Sequence, residues 1–192
     1  MTAFRKTKLA LTLNAAPFAI RAEKASDVVA REALLDAAFG ENRHLRTCQR
    51  LRDGRAPAEG LAFSAVAEGH LVGTLRLWHV SAGGTPALVL GPLAVDSTSR
   101  KLGVGTALMD HALAAATARG HRAVILLGDA PYYARFGFSA QKTAELSLPG
   151  PFERDRLLGL ELAPGALDGA QGLIVPTGSA LPMRKAPRAR AA

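Results

Sequence analysis

The stretch Val89-Leu90-Gly91-Pro92-Leu93-Ala94-Val95-Asp96-Ser97-Thr98-Ser99-Arg100-Lys101-Leu102-Gly103-Val104-Gly105-Thr106-Ala107-Leu108 decides how this chain folds. An apolar run passes into a short polar loop, and the loop opens into a helix. The run reads as the end of a strand spanning Ala87 to Val95, covered on both faces. After it, Val104, Ala107, Leu108, His111, Ala112 and Ala115 recur at helical spacing, so a helix is expected over Gly103 to Arg119, stopped by Gly120. Glycine lets a backbone turn freely and approach a ligand closely. The first turn of a helix carries unpaired N–H groups at a positive dipole end. Together these make a seat for phosphate, and Arg100 and Lys101 add charge at its mouth.

Working outward, Phe18 to Arg21 reads as a first strand. Ser26 suits a helix N-cap, and a helix follows to Phe39, ended by Gly40. His44 to Arg52 reads as a second, basic helix, stopped by Asp53-Gly54. Leu61 to Glu68 and Leu71 to Val80 form a hairpin about a tight turn at Glu68-Gly69-His70. Arg122 to Leu127 is a buried strand, Pro131 to Phe136 a short helix, and Leu157 to Leu162 the expected last strand. Beyond Pro164 glycine and proline rise and the pattern fades. The order β-α-α-β-β-β-α-β-α-β describes one mixed α/β domain.

The chain has 192 residues, enough for one domain with a real core. It carries a net charge of +8, located mainly at the ends. Arg5, Lys6 and Lys8 lie before residue 18; Arg184, Lys185, Arg188 and Arg190 lie after residue 183; neither end holds an acid. A nucleic-acid-binding domain would carry its basic stripe on the folded face, so nucleic acid is not an expected partner. No run of about 18 apolar residues exists to span a membrane. The basic and apolar start, Met1 to Ile20, faintly resembles a secretory signal, but Asn14 and Pro17 interrupt it, and a cytoplasmic location is expected. The single cysteine, Cys48, reads as a free thiol. The histidines lack metal spacing, so no metal is expected; His111 reads as a buried residue on the helix stripe and Trp78 as core.

Two other nucleotide motifs are excluded by their own requirements. A dinucleotide site needs G-x-G-x-x-G, whereas Gly103-Val104-Gly105 is followed by Leu108, and no acid ends the next strand. A phosphate loop of the form G-x-x-x-x-G-K-[ST] is absent. Instead Arg100-x-x-Gly103-x-Gly105 after an apolar strand resembles the pyrophosphate signature of the GNAT superfamily of acetyl-CoA-dependent N-acetyltransferases. Tyr132-Tyr133-Ala134-Arg135-Phe136-Gly137-Phe138 resembles the family's Tyr-x-x-x-Gly-Phe element, which follows the next strand. The hairpin Glu68 to Gly73 fits the family's middle strands. The resemblance covers roughly Phe18 to Glu161.

The resemblance implies a GNAT-type mixed sheet, with an N-terminal strand and helices and a central parallel strand pair splayed around the cofactor arm. It implies a basic extension over residues 1–17, an acetyltransferase domain over 18–163, and a C-terminal segment with a basic tail over 164–192. It implies acetyl-CoA as co-substrate and an amine of a small molecule or protein as acceptor; a homodimer stays open. Leu93, Ala94 and Val95 would splay from Leu126-Leu127 and offer backbone groups to the pantetheine arm. A backbone N–H near Ala94 or Val95 would face the thioester carbonyl and stabilise the oxyanion of a tetrahedral intermediate. Backbone N–H groups of Arg100, Lys101, Leu102, Gly103, Val104, Gly105 and Thr106 would bind the pyrophosphate. Tyr133 matches the general acid that protonates the departing thiolate.

Two departures from the family pattern stand out. Gly128-Asp129-Ala130-Pro131 holds no Asn before the Tyr, and the strand Ala87 to Val95 holds no Glu to act as base. Deprotonating an amine of pKa near 10 at pH 7 costs about 4 kcal/mol. Glu41, His44 and His79 are candidates by position, and the base is left unassigned. The arginines at 43, 46, 50 and 52 form a solvated face or meet an anionic acceptor or the phosphates of CoA. A non-catalytic acyl-CoA-binding module is the alternative function: the missing strand acid favours it, and Tyr133 favours the enzyme.

Overall fold

The structure, a computed structural model, describes residues 17–181. The signal-like patch and the basic ends read from the sequence therefore lie almost entirely outside the described residues. The strands are β1 (Ala19–Ala22), β2 (Ala62–Ala67), β3 (His70–Ala82), β4 (Thr85–Val95), β5 (Ala123–Leu127), β6 (Leu146–Ser147), β7 (Leu157–Glu161) and β8 (Gly172–Pro176). The helices are α1 (Val28–Phe39), α2 (Val104–Ala118) and the short α3 (Ala130–Ala134). Together the strands make one open, mixed sheet, as the fold reading expects. Its order is β1-β2-β3-β4-β5-β7, and only β4 and β5 run parallel within that series.

β4 is covered on both faces. Leu88 and Leu90 join a core with Leu75, Leu77 and the α2 residues Val104, Leu108, Met109 and Ala112. Ala87 and Val89 point the other way, into a core with Trp78, Val80, Ile125, Leu157 and Ile174. Alternation along one strand thus fills two layers. A smaller cluster of Leu34, Leu35 and Ala94 seats α1 on the sheet.

The entry to α1 is anchored by Asp27 rather than by the expected cap, Ser26. A 3-10 turn, Ala25–Asp27, precedes the helix. The buried Asp27 carboxylate accepts from the Arg21 guanidinium at 2.6 and 2.8 Å, from Lys24 N at 2.8 Å and from Ser64 Oγ at 2.9 Å. These bonds, led by Arg21, hold its carboxyl well below the usual range. Arg31, 6% exposed, bonds Glu23 and Glu32, and Arg76 of β3 also bonds Glu23, so α1 is tied to the sheet through charge.

Three readings need correction. His44 to Arg52 is not one helix but two 3-10 turns, Glu41–Leu45 and Thr47–Leu51, separated by an extended Arg46. The segment has no apolar stripe to hold a helix: Leu45 is 80% exposed while Leu51 is fully buried. Leu157 to Leu162 is not the last strand. β8 pairs antiparallel with the end of β3, Val80 to Ala82 opposite Pro176 to Ile174, and β6 pairs parallel with β8. Only Ile174 of β8 is buried, so its pattern is too short to read. His111 is exposed, edge-on to Phe63 at 4.7 Å, because the buried stripe of α2 centres on Leu108, Met109 and Ala112. Among the described residues no helix is long and apolar enough to cross a membrane.

Candidate active site

The site begins where β4 and β5 part. Their pairing is confined to Leu88 with Val124 and Val89 with Ile125, although β4 runs on to Val95 and β5 to Leu127. β5 stays paired on its other edge with β7, as far as Leu127 opposite Leu157. β4 is the strand that turns away. Opposite β3 the register shifts: Leu77 faces Leu90 and Leu75 faces Leu93, so Gly91 and Pro92 together oppose Arg76. Such a bulge bends its strand. Proline also has no N–H for a ladder. Gly91 has φ of 131°, a conformation that an L side chain rarely adopts. The indole Nε1 of Trp78 donates to the Gly91 carbonyl at 2.7 Å and fixes the bend. The splay expected at Leu93 to Val95 is therefore present, with a local cause.

The loop after β4 forms the helix junction. Asp96 accepts from Thr98 N at 2.9 Å and from Thr98 Oγ1 at 2.6 Å, which shapes the turn. Gly103, left-handed at φ of 80°, is the N-cap of α2. Arg100, Lys101 and Leu102 are exposed around the open first turn, whereas Val104 is buried and pins the helix. At Gly105 a Cβ would come within 2.9 Å of the Tyr132 hydroxyl and 3.6 Å of Val95 Cγ2. Strand end, helix start and α3 thus meet at one point. Arg135 stacks on the Tyr132 ring at 4.1 Å and donates to Thr106 Oγ1 at 3.2 Å.

A cleft of about 690 Å³ runs from this junction along the splay. One wall is Leu90 to Leu93, another is Leu126 to Asp129 with Tyr132 and Tyr133. Phe39, the 3-10 turns from Leu45 to Arg52, and the loop Pro151 to Glu153 close the far side. Tyr133 is held by backbone and by packing. Its N–H donates to Asp129 O at 3.1 Å, and its carbonyl accepts from Phe138 N at 3.3 Å. Its ring lies so close to Gly128 that a Cβ there would meet Cε2 at 2.3 Å. Burial, aided by the neighbouring Tyr132 and Asp129, pushes the Tyr133 phenol up to about 12. The hydroxyl is thus a neutral donor at physiological pH, and among the described residues it has no hydrogen-bond partner.

Leu93 and Tyr133 come together in the cleft; the stretch Arg100 to Thr106 lies beyond Val95, joined to the cleft through Tyr132. The base candidates are not gathered there. Glu41 and His44 are exposed and outside the lining, and His79, also outside it, packs at a tilt against His121 with ring centroids 5.3 Å apart. The carboxylates that do line the cleft are Asp129 and Glu153, and no motif points to Glu153. Cys48 also lines it, but burial pushes its thiol up, so it supplies no thiolate nucleophile.

Residues 29–138 match the Acetyltransferase (GNAT) family. The chain belongs to this family, and with it to the acyltransferase enzymes. The uncharacterized N-acetyltransferase YhbS of Escherichia coli K12 is 30% identical over 157 residues, which cover 81% of this chain and 93% of that protein. A crystal structure of the Escherichia coli YhbS in complex with CoA superposes with a TM-score of 0.73 at 29% identity, covering 85% of this chain and 91% of that one. A GNAT acetyltransferase from Brucella melitensis in complex with acetyl-CoA gives a TM-score of 0.64 at 25% identity, covering 85% of this chain and 97% of that one.

Proposed function

We propose that this GNAT enzyme moves an acetyl group from acetyl-CoA directly to a primary amine of a small molecule or protein, through a tetrahedral intermediate. The observation that carries the reading is the gap between β4 and β5 past Val89, with a glycine-capped helix N-terminus beyond one end and the unpartnered Tyr133 hydroxyl in its wall. The donor set fits the co-substrate. The β5-facing backbone edge of Leu93, Ala94 and Val95 is released from the ladder and is available to the amides of a pantetheine arm. The N–H groups from Arg100 to Thr106 face a site favourable to pyrophosphate, with Arg100 and Lys101 as cations beside it. The CoA and acetyl-CoA complexes of the two similar structures support the same choice.

In this reading the backbone at Ala94 or Val95 binds the carbonyl oxygen as it becomes an oxyanion. The acceptor amine, having lost a proton to water, attacks the carbonyl carbon; as the intermediate collapses a second nitrogen proton passes to solvent and the Tyr133 proton goes to the leaving sulfur, the phenolate regaining a proton from solvent. We place the functional unit, expected over residues 18–163, as extending through residue 181, because β8 completes the sheet.

Two measurements test this. Calorimetry with acetyl-CoA should show binding to the wild-type chain and a large loss in Gly103→Glu, which puts a side chain and a negative charge at the helix start. CoA release with a broad amine panel should show turnover that falls at least tenfold in Tyr133→Phe, in line with the roughly 10²–10⁴-fold contribution of a positioned acid. No binding of acetyl-CoA would end the reading. Turnover unaffected by Tyr133→Phe would remove Tyr133 from the mechanism.

A further inference from the structure

The arginines of the cleft are not equivalent. Arg43 is neutralised by Asp36 and Glu32, at 2.6 and 2.5 Å. Arg156 pairs with Glu153 at 3.3 Å. Arg46 lies at the surface, over the Phe39 ring and bonded to the Phe39 carbonyl. Arg52 is different: it is half-buried and has no ion-pair partner among the described residues. Only its Nε is used, donating to Cys48 O at 3.1 Å. Its two terminal nitrogens have no protein acceptor, yet neither is sealed from solvent. Nη1 lies at the bend in β4, since a Cβ on Gly91 would be 3.7 Å from it.

A half-buried guanidinium with no carboxylate in contact is only partly compensated: burial here works against its charge, and the more distant Asp53 offsets that in part. The second shared feature is place. Gly91 is where β4 leaves β5, and the pyrophosphate loop begins only at Arg100, past the far end of the strand. Arg52 therefore lies at the acyl end of the gap, on the side walled by Cys48, Pro151 and Phe152. This is where an acceptor would enter, not where CoA phosphates would lie.

We infer that Arg52 is a specificity residue whose free guanidinium edge binds a carboxylate of the acceptor, so that the enzyme acetylates small amino acids or amino-acid-like amines. The inference rests on the transferase reading above and names its substrate class. A guanidinium matches a carboxylate in two parallel hydrogen bonds. From Gly91 to the backbone of Ala94 or Val95 is three to four residues, roughly 10–13 Å at the rise of a strand. After allowing for the bond lengths at either end, the amine and the carboxylate lie only a few bonds apart in the acceptor. A lysine within a protein chain does not offer that pairing.

The test compares matched acceptors: L-amino acids against their amides, with acetyl-CoA and CoA release as the readout. The wild-type enzyme should favour the acid over its amide by at least tenfold in kcat/KM, mainly through KM. Arg52→Met should bring that ratio close to one, and Arg52→Lys should restore part of it. Arg50→Met removes an equal charge from an exposed side chain bonded to the Pro149 carbonyl outside the cleft, and should keep the ratio. A ratio near one in the wild type, or a ratio retained in Arg52→Met, overturns the inference. A parallel titration separates it from failure of the transferase reading. Calorimetry of the CoA-saturated chain with the same acids and amides reads binding without turnover. Binding of acids lost in Arg52→Met supports the carboxylate site even if no amine is acetylated; equal binding of acids and amides by the wild type refutes it.

Discussion

Tyr133 and Gly128 act as one unit. The glycine has no side chain, and the ring occupies the space a side chain would take. Gly128→Ala should therefore push the ring out of position; we expect a loss of about 1–3 kcal/mol of stability, typical of overpacking. Turnover should fall further than the melting temperature suggests, because the phenol no longer faces the gap. Chemical denaturation and CoA release on the same variant check both. The pH behaviour follows from the raised phenol. Its folded pKa, about 12, lies above the roughly 10 of an unfolded tyrosine. An acid raised on folding stabilises the fold below the unfolded value, and that contribution is lost as pH climbs from about 10 to about 12. The phenol stays protonated throughout the neutral range, so it imposes no alkaline limb on activity below about pH 11. Phenolate absorbance of the Tyr132→Phe variant, in which Tyr133 is the sole tyrosine, should titrate with a midpoint near 12; a midpoint near 10 would show that the ring is not buried as described.

The elements that were legible are those with long, regular periods. β4, α2 and β5 could be read because an apolar run, a capping glycine and a helical stripe follow in order, and each buries an apolar set in the core. The basic segment before Asp53 was not legible as two turns. Its conformation is set by distant partners, with Thr47 bonded to the Pro151 carbonyl and Arg50 to that of Pro149. The same loop brings Glu153 to the cleft, and no local pattern could place it there. The bend at Gly91 was visible only as a glycine and a proline; the Trp78 bond that fixes it comes from the adjacent strand. Helix docking offers a direct test at this scale. A Cβ at Gly73 of β3 would meet Leu108 Cδ1 and Val104 Cγ1, both at 2.9 Å. α2 therefore packs against bare backbone there. Gly73→Val should lift the first turn of α2, costing about 1–3 kcal/mol. Because that turn is also the proposed phosphate seat, acetyl-CoA affinity should fall with stability, whereas Gly120→Ala at the helix's other end should spare affinity. Calorimetry and thermal melts on the two variants distinguish them.

At the scale of the molecule, the C-terminal part of the described chain is structural. Leu167 is 4% exposed, Ala170 8% and Ile174 0%, and all join the core that holds Trp78, Val80 and Ile125. Trp78 in turn fixes the bend from which the cleft opens, so this remote segment and the site share one support. Glu161 accepts from Leu167 N at 2.9 Å and pairs with Lys142 at 2.6 Å, which ties the segment to β7. Burying a side chain such as Leu or Ile contributes about 1.5–3 kcal/mol, against a total of roughly 5–15 kcal/mol for a domain. Ending the chain after Ala163 removes both Leu167 and Ile174 and leaves the end of β3 without β8. We expect that shortened chain to melt far below the full one or to fail to fold. A chain ended after Leu181 keeps every described contact and loses residues 182–192, four of them basic; it should melt with the full chain and bind acetyl-CoA equally well. Ile174→Ala should fall between them, at a cost of about 2–5 kcal/mol. If the chain ended after Ala163 melted within a few degrees of the full one, β8 would be an ornament of the sheet and not a support of the bend at Gly91.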